Sequence, residues 1–221
     1  MMDVMEAMKA RHSVRRFQLR PIEPEKVETL QKAVEEVNCD SGFHFQLVLD
    51  EPEAFTGLKA HYGSIRNCTH YFALVGEDGR LADVGYYSEK LVLLAQQLEL
   101  NTCWVALTYN KRKARVDIRE GERLYVVIAL GYGENQGIPH KDRPLAELCT
   151  VPGQMPDWFK AGMEAAMLAP TAINQQKFHL TLMEGDTVKA EALKGPYAQM
   201  DLGIVKYHFE LGAAPHPFHW A

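Results

Sequence analysis

The sequence predicts an α+β fold in which helices pack on sheets, and three observations carry that expectation. Apolar residues recur at three- and four-residue steps in several stretches, and short runs rich in aromatic and branched residues lie between them, bounded by Gly or Asp. The order helix, loop, strand, helix also comes twice along the chain. At 221 residues, 47% hydrophobic and 24% charged, the chain is long enough to bury a sizeable core.

The elements follow in order. Met5 to Ala10 reads as a short helix, ended by the polar and cationic run Arg11 to Phe17. Val27, Leu30, Ala33, Val34 and Val37 share one side of a helix over Pro24 to Asn38, with Pro24 near its start. Phe43 to Leu49 and Thr69 to Val75 read as strands. Asp83 to Leu100 is the longest helical stretch, with Val84, Tyr87, Leu91, Leu94, Ala95 and Leu98 on a common side. Thr102 to Leu107 and Arg123 to Leu130 are further strands, the second apolar enough to be covered on both faces. Glu134 to Pro156, rich in Gly and Pro, reads as a loop-like linker. Beyond it come a helix over Trp158 to Leu168, a strand over Phe178 to Met183 and a helix over Asp201 to Ala213.

Composition narrows the function classes. The formal net charge of -5 offers no basic field for nucleic acid. Charged residues interleave the first twenty positions, unlike the hydrophobic region of a signal peptide, and the apolar runs are far shorter than the roughly 20 residues that cross a bilayer. Cys39, Cys68, Cys103 and Cys149 are dispersed without zinc-ligand spacing. The expectation is a cytoplasmic protein with reduced thiols, no bound metal, no nucleic-acid partner and no membrane contact.

The chain echoes itself. Phe43, His44, Phe45, Gln46, Leu47 is followed later by Phe178, His179, Leu180, Thr181, Leu182, and Asp83, Val84, Gly85 by Asp201, Leu202, Gly203. Chance matches among helix-strand units remain an alternative. If the echo is a true repeat, two units, 1–150 and 151–221, form one compact domain with an approximate internal two-fold.

Three groups of residues could carry chemistry. Arg11, His12, Ser13, Arg15 and Arg16 form a donor set suited to a phosphate or a polar ring edge, or else a solvated charge run. Ala169 to Gln176 follows an apolar helix; Pro170 stops it, Thr171 and Ala172 allow close approach, and Asn174 and Gln176 offer donors and acceptors. Such a loop could line a flat heteroaromatic ring or be an ordinary turn. His140 to Pro144 adds a second cationic group, Arg143.

Together these resemble the FMN-dependent nitroreductase superfamily over nearly the whole chain. Arg11, His12, Ser13, Val14, Arg15, Arg16, Phe17 looks like its flavin-binding start, and Pro170, Thr171, Ala172, Ile173, Asn174, Gln175, Gln176 like its Pro-Ser-x-x-Asn-x-Gln segment. The helix after Asp83, a turn at Asn101 to Trp104, Gly131, Tyr132, Gly133 and Arg143, Pro144, Leu145 complete the likeness. In ordinary members that segment follows the first long helix, where this chain has Val37 to Gly42 instead. The resemblance implies a family homodimer made continuous, a short pseudo-dimeric branch that keeps each motif once.

What the resemblance implies is a nitroreductase-like fold of antiparallel-rich mixed sheets packed with helices, holding one FMN. Arg11 and Arg143 would take its phosphate, with His12 beside them and Ser13 on the phosphate or ribityl chain. Arg15 would face the pyrimidine edge. Pro170, Thr171, Ala172, Asn174 and Gln176 would line the ring, and backbone at Trp104, Val105, Ala106 and Leu107 would reach N5. No side chain need be catalytic, since flavin N5 carries hydride from NADH or NADPH to a small-molecule acceptor such as a nitroaromatic or quinone. His12, Cys103 and His208 are expected to be structural. A flavin-binding or redox-sensing protein without turnover is the alternative, and a protein with an eroded site a third. The state could be a monomeric pseudo-dimer or a homodimer.

Overall fold

In a computed structural model the chain is described over residues 2–57 and 62–221. It divides into two compact units, one of residues 1–80 and 91–139 and the other of 81–90 and 140–221.

The first unit is built on an antiparallel sheet. Helix α1, Val4–Ala10, is capped by the Asp3 carboxylate, which accepts the Met5 N–H at 2.7 Å. Helix α2, Pro24–Ser41, starts on proline and ends where Gly42 turns left-handed at φ 73°, its N–H donating to the Asn38 carbonyl. Leu30, Val34 and Val37 bury its inner face. Strands β1, Gln46–Val48, β2, His70–Glu77, β3, Asn101–Val105, and β4, Glu122–Gly131, lie in the order β1-β2-β4-β3. Strand β4 has a neighbour on both sides, with Phe72 opposite Ile128 and Cys103 opposite Ala129. Its uninterrupted apolar run from Leu124 to Leu130 is buried throughout, as the sequence predicts. Asn101 to Trp104, expected as a turn, lies within β3, where ladder pairing with β4 sets the conformation.

Helix α3, Leu81–Gln97, belongs to the second unit up to Lys90 and to the first from Leu91. It opens two residues before the predicted Asp83 and ends three before Leu100. The expected linker, 134–156, is not all loop: it holds a one-turn helix α4, Leu145–Leu148, and strand β5, Cys149–Thr150. Strand β5 pairs in parallel with β6, Phe178–Met183, and β6 pairs antiparallel with β7, Thr187–Ala192; β8, His219–Trp220, is parallel to β7.

Two helices cover this unit, α5, Asp157–Ala166, and α6, Ala198–Ala213, and glycines let backbones approach. A Cβ on Gly162 would lie 2.7 Å from the Phe209 ring. The contact between α6 and the first half of α3 is closer and reciprocal. A Cβ on Gly85 would meet the Met200 carbonyl oxygen at 2.0 Å and the Ile204 nitrogen at 3.2 Å, while one on Gly203 would meet the Ala82 oxygen at 1.8 Å and the Tyr86 nitrogen at 2.8 Å. In both directions the glycine touches the residue three before, and the residue one after, its opposite glycine. The two helices therefore present the same contact pattern to each other.

Behind the crossing, Glu89 and His208 are fully buried, with Nε2 2.9 Å from Oε1. At the chain end Trp158 stacks on His216, and Phe209, Phe218 and Trp220 pack edge to face. Among the described residues no helix is long and apolar enough to cross a membrane.

Candidate functional site

In the first unit the cationic segment leaves α1 in extended conformation. Arg11 closes the helix, donating its N–H to the Ala7 carbonyl at 2.9 Å, and is only 3% exposed. Ser13 then bridges to Thr102 on β3, Val14 N–H donates to the Thr102 carbonyl, and Phe17 bridges to Gly133 after β4. Val14 and Phe17 are each 1% exposed in the core. Their three-residue spacing anchors the segment and leaves Arg15 and Arg16 outward. His12 is half-buried, covered by the close approach of Gly137, where a Cβ would stand 2.7 Å from its own.

The Ser13 hydroxyl hydrogen-bonds the Cys103 thiol of β3, and the charges of Arg15 and Arg11 act on that thiol. Burial pushes that thiol up from its ordinary value, while the Arg15 charge, the Ser13 hydroxyl and the Arg11 charge oppose the shift. On the opposite face of β3, since successive strand residues alternate, the Thr102 hydroxyl and the Trp104 indole nitrogen are buried without hydrogen-bond partners among the described residues. Buried polar atoms ordinarily find one, so these two sites are open to a polar guest. Thr102 was not singled out from sequence; a lone Thr in an apolar strand carries no signal until Ser13 is laid beside it. Val105 is buried at the end of β3, Ala106 half-buried, and Leu107 is 70% exposed.

In the second unit Pro170 is buried and Thr171 to Gln176 form a tight loop. Ile173, Asn174 and Gln176 all have left-handed backbone, at φ 49°, 55° and 47°. For a β-branched residue this is uncommon, and such conformations gather at functional sites. Many hydrogen bonds impose it. Thr171 Oγ1 accepts the Gln176 N–H at 3.0 Å, Asn174 Nδ2 and Gln176 Nε2 both donate to the Lys141 carbonyl, and Gln176 Oε1 accepts the Arg143 N–H at 2.9 Å. Asp201 accepts from the Ala172 N–H and from Gln175. Gln176, at 2% exposed, is therefore engaged inside the loop, whereas Asn174 is exposed beside Ile173, itself 90% exposed. Arg143 lies in this second unit, its guanidinium on Glu147 at 2.6 and 3.1 Å and near the Gln176 carbonyl at 3.4 Å. Asp201 escaped the sequence reading as a site residue; its only signal was its place in the repeated Asp-x-Gly.

The thiols divide by environment. Burial raises Cys68 to about 12 and also raises Cys103 and Cys149, while Cys39 is exposed. The thiolate is the reactive species, so in folded protein at pH 8 a disulfide reagent is expected to titrate Cys39 promptly and the other three only on unfolding. Prompt release from two or more thiols would contradict these environments.

A family model described as "Putative TM nitroreductase" matches residues 3–213. Among solved structures, one from Thermotoga maritima MSB8 described as a "putative nitroreductase" aligns with TM-score 0.67 and 21% identity, covering 96% of this chain and 83% of that one. Another, from Desulfovibrio desulfuricans and described as a "putative nitroreductase in complex with FMN", gives TM-score 0.53 and 19% identity over 71% of this chain and 98% of that one. A nitroreductase family protein from Streptococcus pneumoniae TIGR4 gives TM-score 0.52 and 16% identity over 66% and 98%. A sequence search of curated proteins gave no match. These structural likenesses establish a nitroreductase-like α+β fold, and the match across 3–213 establishes that the chain belongs to the TM nitroreductase family.

Proposed function

We propose that the protein is an FMN-dependent oxidoreductase that passes reducing equivalents from NADH or NADPH to a nitroaromatic, quinone or similar small acceptor. The observation that carries this reading is the Arg11, Ser13, Arg15 segment laid along β3 at the Ser13 to Thr102 bridge, where the buried Thr102 hydroxyl and Trp104 indole N–H have no hydrogen-bond partner among the described residues. Two guanidiniums and two hydroxyls suit a phosphate and a polyol chain, and an indole N–H suits an acceptor on a flat ring. The donor set therefore fits FMN.

Bound there, the flavin would supply the hydride chemistry. The chain's own work is to bind, orient and bias. Arg11 and Ser13 hold phosphate or ribityl oxygens, with His12 alongside. Arg15 presents positive charge to the pyrimidine edge, where it favours the reduced, negatively charged ring. The backbone from Trp104 through Val105 and Ala106 to Leu107 provides donors toward N5. Pro170, Thr171, Ala172, Asn174, Gln176 and Arg143 are the further flavin contacts that this reading assigns.

This reading includes an internal duplication, with copies over 1–150 and 151–221 and one flavin per chain. The exchange symmetry of Gly85 and Gly203 supports it, because two unrelated helices have no reason to share a contact register. A chain that is its own pseudo-dimer can act as a monomer or pair again as a homodimer in the cytoplasm.

Purified protein is expected to be yellow, to carry a single FMN, and to bleach with NADPH under nitrogen. Arg11→Ala is expected to weaken FMN by about 10- to 150-fold, as a charge-assisted hydrogen bond contributes about 1.5 to 3 kcal/mol. A fluorescence titration with unchanged affinity, or a stoichiometry of two, would sink the assignment.

A further inference from the structure

The loop at 171–176 is held by one buried carboxylate. Both oxygens of Asp201 accept the Ala172 N–H, at 3.0 and 3.1 Å, and Oδ2 accepts Gln175 Nε2 at 2.7 Å. Gln175 Nε2 also donates to the Pro196 carbonyl at 2.6 Å. The two residues Asp201 grips, Ala172 and Gln175, flank Ile173 and Asn174, both left-handed, a conformation that Asn tolerates but that is uncommon for the β-branched Ile173. Such a shape persists only where its surroundings over-determine it.

The position of that carboxylate is fixed as well. Asp201 stands in the first turn of α6, two residues before Gly203, whose closeness to the Ala82 carbonyl prevents the helix from sliding. At 4% exposed it is nearly out of water. Burial pushes its carboxyl up to about 6, opposed by the Gln175 and Ala172 hydrogen bonds, with no cation contributing. The sign of the consequence is definite. A folded value above the ordinary 3.8 means that the native state holds this proton more tightly than the unfolded chain. The ionised group therefore costs stability, a cost fully present above about 6 and relieved as pH falls toward the ordinary value. At neutral pH the fold carries this charge at its own expense, a pattern typical of functional sites.

We propose that Asp201 is a positioning residue of the flavin site: it holds Ala172 and Gln175 so that Thr171 to Asn174 keep the turn in which this loop meets the ring. The proposal rests on the FMN reading above. A group kept merely for the fold would give one direction of effect on stability and binding together, whereas a group kept for the loop gives opposite ones.

The test compares wild type and Asp201→Asn in full-length protein, stripped of FMN and then titrated with it. Three quantities are read: the thermal midpoint, hydrogen exchange of amides 171–177, and the FMN dissociation constant. The amide of Asn removes the charge and sets an N–H against the Gln175 donor. The variant is expected to keep or raise the thermal midpoint, to exchange the Ala172 amide at least about tenfold faster, and to bind FMN at least about tenfold more weakly. Gln175→Ala, which removes one donor and leaves Asp201, is expected to move exchange and binding the same way by a smaller factor. A lowered midpoint with faster exchange throughout the unit would assign Asp201 to the fold alone and overturn the proposal. Unchanged exchange at Ala172, or FMN bound equally by variant and wild type, would overturn it too. Failure of wild type itself to take up FMN is a separate result that overturns the flavin reading.

Discussion

Gly203→Ala is expected to lower the thermal midpoint by roughly 4 to 12 °C. The added Cβ would stand 1.8 Å from the Ala82 carbonyl oxygen and 2.7 Å from its carbon, atoms of a helix backbone that cannot rotate away as a side chain can. Relief requires the two helices to separate, which loosens everything else packed at their crossing. Overpacking of this kind costs about 3 kcal/mol, and a chain of this size loses about 2 to 4 °C for each kcal/mol. Alanine's better helix propensity, worth up to about 1 kcal/mol, offsets only part. Gly85→Ala should behave alike, since its Cβ would meet the Met200 oxygen at 2.0 Å. Thermal unfolding followed by circular dichroism checks both. A shift under about 2 °C for either would mean that the crossing is looser than described and would weaken the case for a shared two-fold register.

His208→Ala is expected to destabilise by about 3 to 5 kcal/mol in a denaturant titration. The imidazole and the Glu89 carboxylate are both fully buried, and Glu89 Oε2 has no hydrogen-bond partner among the described residues. His208 Nδ1 lies 3.2 Å from the Ala165 carbonyl, which can only accept, so Nδ1 carries hydrogen and a second proton lies between Nε2 and Oε1. Removing the ring therefore deletes the only partner that Oε1 has among the described residues and leaves a carboxyl group in a dry interior. The double variant His208→Leu with Glu89→Leu is expected to recover most of the loss, because apolar side chains of similar volume carry no desolvation cost. If the double variant were as unstable as the single one, packing rather than the pair would be responsible.

Both sites show why some features could be read along the chain and others could not. Helix α2 announced itself through Pro24 at its start and Leu30, Val34 and Val37 along one side, but it runs to Ser41, three residues past the expected end at Asn38. Strand β4 announced itself through an unbroken apolar run. Strand β7, in contrast, is Thr187 to Ala192 with only Val188 buried, so its alternation places Lys and Glu among small residues and resembles a solvated turn. It is a strand because β6 pairs along its whole length. Strand β5 was hidden in the Gly- and Pro-rich stretch because two residues have no periodicity; their parallel pairing with Leu180 and Thr181 makes them a strand.

Of the candidate site, the cation cluster and the Pro-Thr-x-x-Asn-x-Gln loop were legible as residue types at fixed spacing, and so was the echo of Asp-x-Gly. Local order and residue chemistry are properties of neighbours in sequence. Only the tertiary structure brought Thr102 to Ser13, turned Gln176 inward onto Lys141 and Arg143, put Asp201 under Ala172, and seated each echoed glycine against the other's helix. Those outcomes depend on which atoms lose water and which backbones can touch. Burial and contact are set by packing between distant segments, and no window along the chain contains them.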